Sequence, residues 1–159
     1  MTLNSPFRVA AVAGVAASLF SFAHVTPVAA QAPTRIVKTC SVQLEPGEVN
    51  GGCTVTVPAG KRFIIENASV GGTHPSSQWI RVSIYTMFAG ASFEHVVPAG
   101  FQILSGTNTK WSGAMPGTMF SDPGNVQLHF GRGNDHEGRP WMRMTVSGYL
   151  EDIGTGLLR

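Results

Sequence analysis

The sequence predicts an all-β chain, an antiparallel β-sandwich or jelly roll of about seven to nine strands, and three observations carry that prediction. Segments in which apolar and polar residues alternate recur from residue 35 onward, clusters of Gly, Pro, Asn and Asp separate them, and beyond residue 30 no stretch has the apolar period of a helix. The 19 Gly and 10 Pro, with only 13% charged residues, fit a chain of many turns and little exposed helix.

The first thirty residues are of another kind. A short polar start carrying Arg8 precedes an uncharged run from Val9 to Ala23, and Pro27-Val28-Ala29-Ala30 follows. This is the pattern of a secretory signal peptide over 1–30, cleaved after Ala30. The uncharged run is shorter than the roughly 20 residues that cross a bilayer, so no membrane span is expected after cleavage. The expectation is a periplasmic or secreted protein with one domain over 31–159. That part holds ten basic and nine acidic residues, a formal charge of +1, and the basic ones form no run. Nucleic acid is therefore not an expected partner.

Arg35 to Leu44 reads as the first strand, with Ile36, Cys40, Val42 and Leu44 on one face. Glu45 to Gly52 is dense in turn formers, and Cys53 shares parity with Val55 and Val57 in the next strand. Export favours oxidation, so Cys40 and Cys53, the only cysteines, are expected as a disulfide stapling the ends of one hairpin. Val57-Pro58-Ala59-Gly60 is a turn, at a hairpin or a sheet corner, and Val97-Pro98-Ala99-Gly100 repeats the device. From Lys61 to Val70 apolar residues fall on both faces, as in a strand covered on both sides, and Gly71 to Ser77 reads as a break. Trp79 to Phe88 alternates cleanly, with Ile80, Val82, Ile84 and Phe88 inward. Ala91 to Val97 and Phe101 to Ser105 are weaker strands, while 106–124 is either an irregular crossover or a short strand. Val126, Leu128 and Phe130 mark a further strand, and Gly131 to Pro140 reads as an exposed polar loop. Trp141 to Leu150 closes the domain, with Met142, Met144, Val146 and Leu150 inward, before a tail from Glu151.

Val57 to Glu66 (VPAGKRFIIE) and Val146-Ser147-Gly148-Tyr149-Leu150 resemble segments of small exported bacterial β-sandwich proteins of unknown function. That resemblance implies a sandwich and brings no catalytic residue with it. Gly52, Pro58, Gly60 and Asn67 also fall at the places of the second cupin motif, but Phe63 stands where that motif has its metal-binding histidine, and no His-x-His precedes it. The cupin likeness implies jelly-roll geometry without the metal site. A cupin-like metalloprotein or enzyme is the alternative reading.

Signals for catalysis are few. There is no G-x-S-x-G elbow, and bridged cysteines leave no thiol nucleophile. Asp135-His136-Glu137 with His129 is the one local cluster of potential ligands, the other histidines beyond residue 30 being His74 and His95, and neither zinc nor calcium spacing is met. Met142 and Met144 share a face with Val146 as core filler, and there is no His-x-Met pair for copper. No catalytic residue, metal or cofactor is expected. The informative pattern is instead a likeness between two strands. Trp79, Arg81 and Tyr85, like Trp141, Arg143 and Tyr149, stand opposite the aliphatic residues of their strands. Side by side, these six would form one face of aromatic rings and guanidinium groups, suited to a small ligand, a glycan or an envelope protein. The expected function is an exported, non-catalytic β-sandwich that binds such a partner or serves structurally at the cell envelope.

Overall fold

A computed structural model describes residues 32–75, 78–103, 107–133 and 136–154. The proposed signal peptide lies outside the described residues. Among them are nine strands and no helix: β1 (Thr34–Gln43), β2 (Asn50–Val57), β3 (Lys61–Pro75), β4 (Trp79–Phe88), β5 (Ala91–Val96), β6 (Ala99–Ile103), β7 (Asn108–Ser121), β8 (Gly124–Gly133) and β9 (Trp141–Asp152). They form a five-stranded sheet, β1-β9-β3-β7-β6, and a four-stranded sheet, β2-β8-β4-β5, with every pairing antiparallel. β1 pairs with β9, β2 with β8, β3 with β7 and β4 with β5, as if one long ribbon had been wound up with alternate segments in alternate sheets. This is the jelly-roll order, with β6 added at one edge.

The winding explains the turns. Pro58-Ala59-Gly60 carries the chain from β2 in one sheet to β3 in the other, so it is a corner and not a hairpin. Gly60 there has φ +74°, and Lys61 N–H donates to Pro58 O at 3.2 Å. The second Val-Pro-Ala-Gly also crosses between sheets, from β5 to β6, but its glycine is already extended within β6. Hairpins of the expected tightness occur at β4 and β5, where Phe88 pairs with Ala91 across Ala89 (φ 51°) and Gly90 (φ 79°), a two-residue turn with both φ positive.

β3 departs from its sequence reading twice. A bulge between Ile65 and Asn67 shifts the register against both neighbours. The extra residue reverses parity, so Ala68 and Val70 join Phe63 and Ile65 in the core and only Ile64 points outward. All of the apolar residues but Ile64 thus fall on one face, and Ile64, between Tyr149 and Phe120 in its row, is itself only 3% exposed. The strand also runs on through Gly71, Gly72, Thr73 and His74 to Pro75 instead of breaking. Gly72 is a packing requirement, because a Cβ there would lie 2.2 Å from Trp141 O and 3.0 Å from the Trp111 ring. Its long partner β7 fills most of the stretch left undecided by sequence.

The core lies between the sheets. Phe63, Ile65, Met142, Met144 and Val146 of the five-stranded sheet meet Val82, Ile84, Val126, Leu128 and Phe130 of the four-stranded one, all buried. The Cys40–Cys53 disulfide is present, and since β1 and β2 belong to different sheets it ties the two layers together and does not close a hairpin. Arg132 corrects the expectation of an exposed polar loop. It belongs to β8 and is 3% exposed at one end of the sandwich. Its guanidinium donates to Glu45 O (2.6 Å), Glu48 O (2.6 Å), Glu137 O (3.0 Å) and Gly138 O (3.2 Å), joining the β1–β2 and β8–β9 connections.

Candidate ligand-binding face

The six residues expected on one face are divided between two. β4 lies in the four-stranded sheet and β9 in the five-stranded sheet, and the outward faces of a sandwich point away from each other. Trp79, Arg81, Trp141 and Arg143 are all exposed as their parity requires, but strand likeness carried no information about sheet membership. Phe88, expected inward at the end of β4, is 41% exposed beneath the Arg62 guanidinium, 5.2 Å from its ring centroid. Tyr149 is separated further. It stands eight residues from Trp141, roughly 26 Å along β9 at about 3.3 Å per residue.

On the four-stranded sheet the polar groups are already engaged with one another. Glu94 of β5 accepts from the buried Ser83 hydroxyl at 2.6 Å, from Tyr85 OH at 3.0 Å and from Arg81 Nη2 at 2.7 Å. The Ser83 hydroxyl, ahead of Tyr85 and Arg81, holds the Glu94 carboxyl below its ordinary range against the opposing effect of burial. The hydrogen bond that Tyr85 donates to Glu94, with burial, pushes the Tyr85 phenol up. His129 packs edge-on to Tyr85 at 5.9 Å. Trp79 lies across its cross-strand partner Gly133, where a Cβ would come within 2.0 Å of the indole. Trp79, Arg81 and Tyr85 thus each have a structural task.

The five-stranded sheet differs from end to end. At one end Arg35, Tyr149, Ile64 and Phe120 form a row across β1, β9, β3 and β7. There Arg35 pairs with Glu66 and stacks over Tyr149, 5.6 Å from the ring centroid. At the other end the rows are Ser41, Arg143, Gly71 and Ser112, then Gln43, Trp141, Thr73 and Lys110. No carboxylate stands in either row, or in the row of Thr39, Thr145, Ser69 and Ala114 beside them.

A depression of about 440 Å³ opens here, lined by Ser69, Gly71, Lys110, Ser112, Trp141, Arg143 and Thr145. Its floor is Gly71. Its walls rise from β9 on one side and β7 on the other, two strand spacings or about 9.5 Å apart. Unlike Gly72, Gly71 is not forced by close backbone approach, since a Cβ on it would sit in ordinary contact, 3.4 Å from Trp111 O. The missing side chain makes the depression. Among the described arginines, Arg35, Arg62, Arg81 and Arg139 pair with carboxylates and Arg132 with carbonyls. Arg143 has no such partner among the described residues, and neither has Lys110 across the depression.

Two other clefts are apolar. One, of about 520 Å³, opens at the corner between β5 and β6 beside Trp79, Val96 and Phe101. The other, of about 170 Å³, lies among Phe88, Phe93 and Phe120. Neither adds a fixed, unengaged polar group to orient a ligand. The histidines are dispersed. His74 is buried with its ring nitrogen 2.6 Å from Pro75 O, His95 bonds Thr86, and His129 sits beside Tyr85. No three His, Cys, Asp or Glu side chains converge among the described residues. Asp135 lies outside them. Phe63, at the place of the cupin histidine, is fully buried in the core. No helix among the described residues is long and apolar enough to cross a membrane. No protein-family model matches the chain, and no curated protein matches it.

Sequence reasoning found Trp141 and Arg143 and missed Gly71, Lys110 and Ser112. Lys110 and Ser112 do alternate about Trp111, a two-residue period legible in principle. Gly71 carries no such signal, because its role depends on the neighbouring strands.

Proposed function

We propose that this protein is exported and non-catalytic, and that it binds a saccharide at the outer face of its five-stranded sheet, with Trp141 as the stacking platform. One observation carries the reading: the depression over Gly71 is bounded by an exposed indole and by Arg143 and Lys110, neither of which has a carboxylate partner among the described residues. An aromatic plane beside hydrogen-bond donors matches a sugar ring, which has an apolar face and a hydroxyl rim. The signal-peptide pattern and the disulfide support an extracytoplasmic location, periplasmic or secreted.

The test is equilibrium binding of a panel of neutral and anionic oligosaccharides to the chain from Gln31 to Arg159, followed by calorimetry. Trp141→Ala is expected to abolish binding, while Trp79→Ala on the opposite face leaves it intact. Binding that survives Trp141→Ala unchanged would remove this face from the account.

A further inference from the structure

We infer that the saccharide bound over Gly71 is anionic, its sugar carrying a carboxylate or a sulfate held between Arg143 and Lys110. The inference rests on the binding face proposed above and adds the charge of the ligand. Arg143 and Lys110 stand on opposite walls of one depression, and among the described residues neither has a carboxylate partner, whereas the exposed Arg35, Arg81 and Arg139 each have one. The three rows around them contain no acidic residue. Two like charges left unbalanced across a space wide enough for one sugar ring create a local positive field. Arg143 supplies the planar fork that matches a carboxylate or sulfate, Lys110 supplies a point charge, and Ser69 and Ser112 offer hydroxyls to the ring.

The experiment titrates the chain from Gln31 to Arg159, disulfide intact, with three probes: an oligogalacturonate, a heparin-derived oligosaccharide and a neutral cello-oligosaccharide. The expected result is binding of at least one anionic probe, weakening as salt rises, with the neutral probe much weaker. The double substitution Arg143→Gln and Lys110→Gln should lower affinity at least about tenfold, the loss of two charge-assisted contacts. Gly71→Val should block binding with melting little changed, since a Cβ there would meet only ordinary contacts and β-branched residues favour strands. Should valine perturb the fold, Gly71→Ser repeats the test with a smaller side chain.

Neutral probes bound as tightly as anionic ones, independently of salt but lost in Trp141→Ala, would overturn the charge inference and leave the proposed binding face standing. Anionic binding indifferent to Trp141, Gly71, Arg143 and Lys110 would overturn both. Absence of binding by all three probes would do the same.

Discussion

Arg132 carries a full charge at a position 3% exposed, and its guanidinium is satisfied by four backbone carbonyls. Those carbonyls belong to two different connections, so one side chain fixes both. Arg132→Ala should therefore destabilise the domain by about 3 kcal/mol, read as a lower urea midpoint at unchanged slope. Arg132→Lys should recover only part, because an ammonium cannot reproduce the fork. Glu94 and Asp122 set the response to acid. The Ser83 hydroxyl is the main cause of the lowered Glu94 pKa, and the Ala89 N–H is the main cause for Asp122, with Arg62 adding to it. A carboxyl with a lowered folded pKa stabilises fully above its unfolded value, and that contribution disappears as pH falls through the folded value. Unfolding midpoints measured as a function of pH should be level above the ordinary Glu value of 4.5 and fall below it, less steeply in Glu94→Gln. A midpoint rising on acidification would contradict this sign.

At the scale of elements, the disulfide is the cross-link between layers at a sheet edge. β1 and β2 share no ladder, each pairing with a different strand of the returning half of the ribbon, and Cys40–Cys53 joins them across a separation of 13 residues. Closing such a loop is worth about 3 kcal/mol in the chain-entropy model. The double substitution Cys40→Ala and Cys53→Ala should lower stability by that order. Intact-mass analysis under alkylation should find two thiols only after reduction, and two free thiols in native protein would refute the bridge. The bulge in β3 has a comparable reach. By reversing parity within one strand it keeps Phe63, Ile65, Ala68 and Val70 on the core side while moving Glu66 out to meet Arg35.

Across the whole molecule, the two exposed tryptophans belong to independent surfaces. Trp79 is 49% and Trp141 42% exposed, and they stand on opposite outer faces with no shared neighbour in their ladders. Their alanine substitutions should be additive in urea unfolding to within about 0.5 kcal/mol. Trp79→Ala should cost the more, because it uncovers Gly133, and both should cost less than Trp111→Ala, a core truncation of about 3 to 5 kcal/mol. A larger coupling would mean that the two rings share one surface after all.

The sequence by itself determined the all-β class, the inward and outward sides of β9 and of β4 short of Phe88, and the pairing of Cys40 with Cys53, because a period of two and a pair of cysteines are local signals. It also supplied Trp141 and Arg143 as outward residues. What it left open was long-range: which strands share a sheet, where a bulge reverses parity, and whether a polar residue such as Arg132 ends in solvent or against carbonyls. Trp79-x-Arg81 and Trp141-x-Arg143 are alike as strands and part company only because ladder pairing sends β4 to β8 and β9 to β1 and β3. Pairing depends on which distant backbone edges meet as the ribbon winds, and that choice is made by burial of the whole core and not by any segment alone.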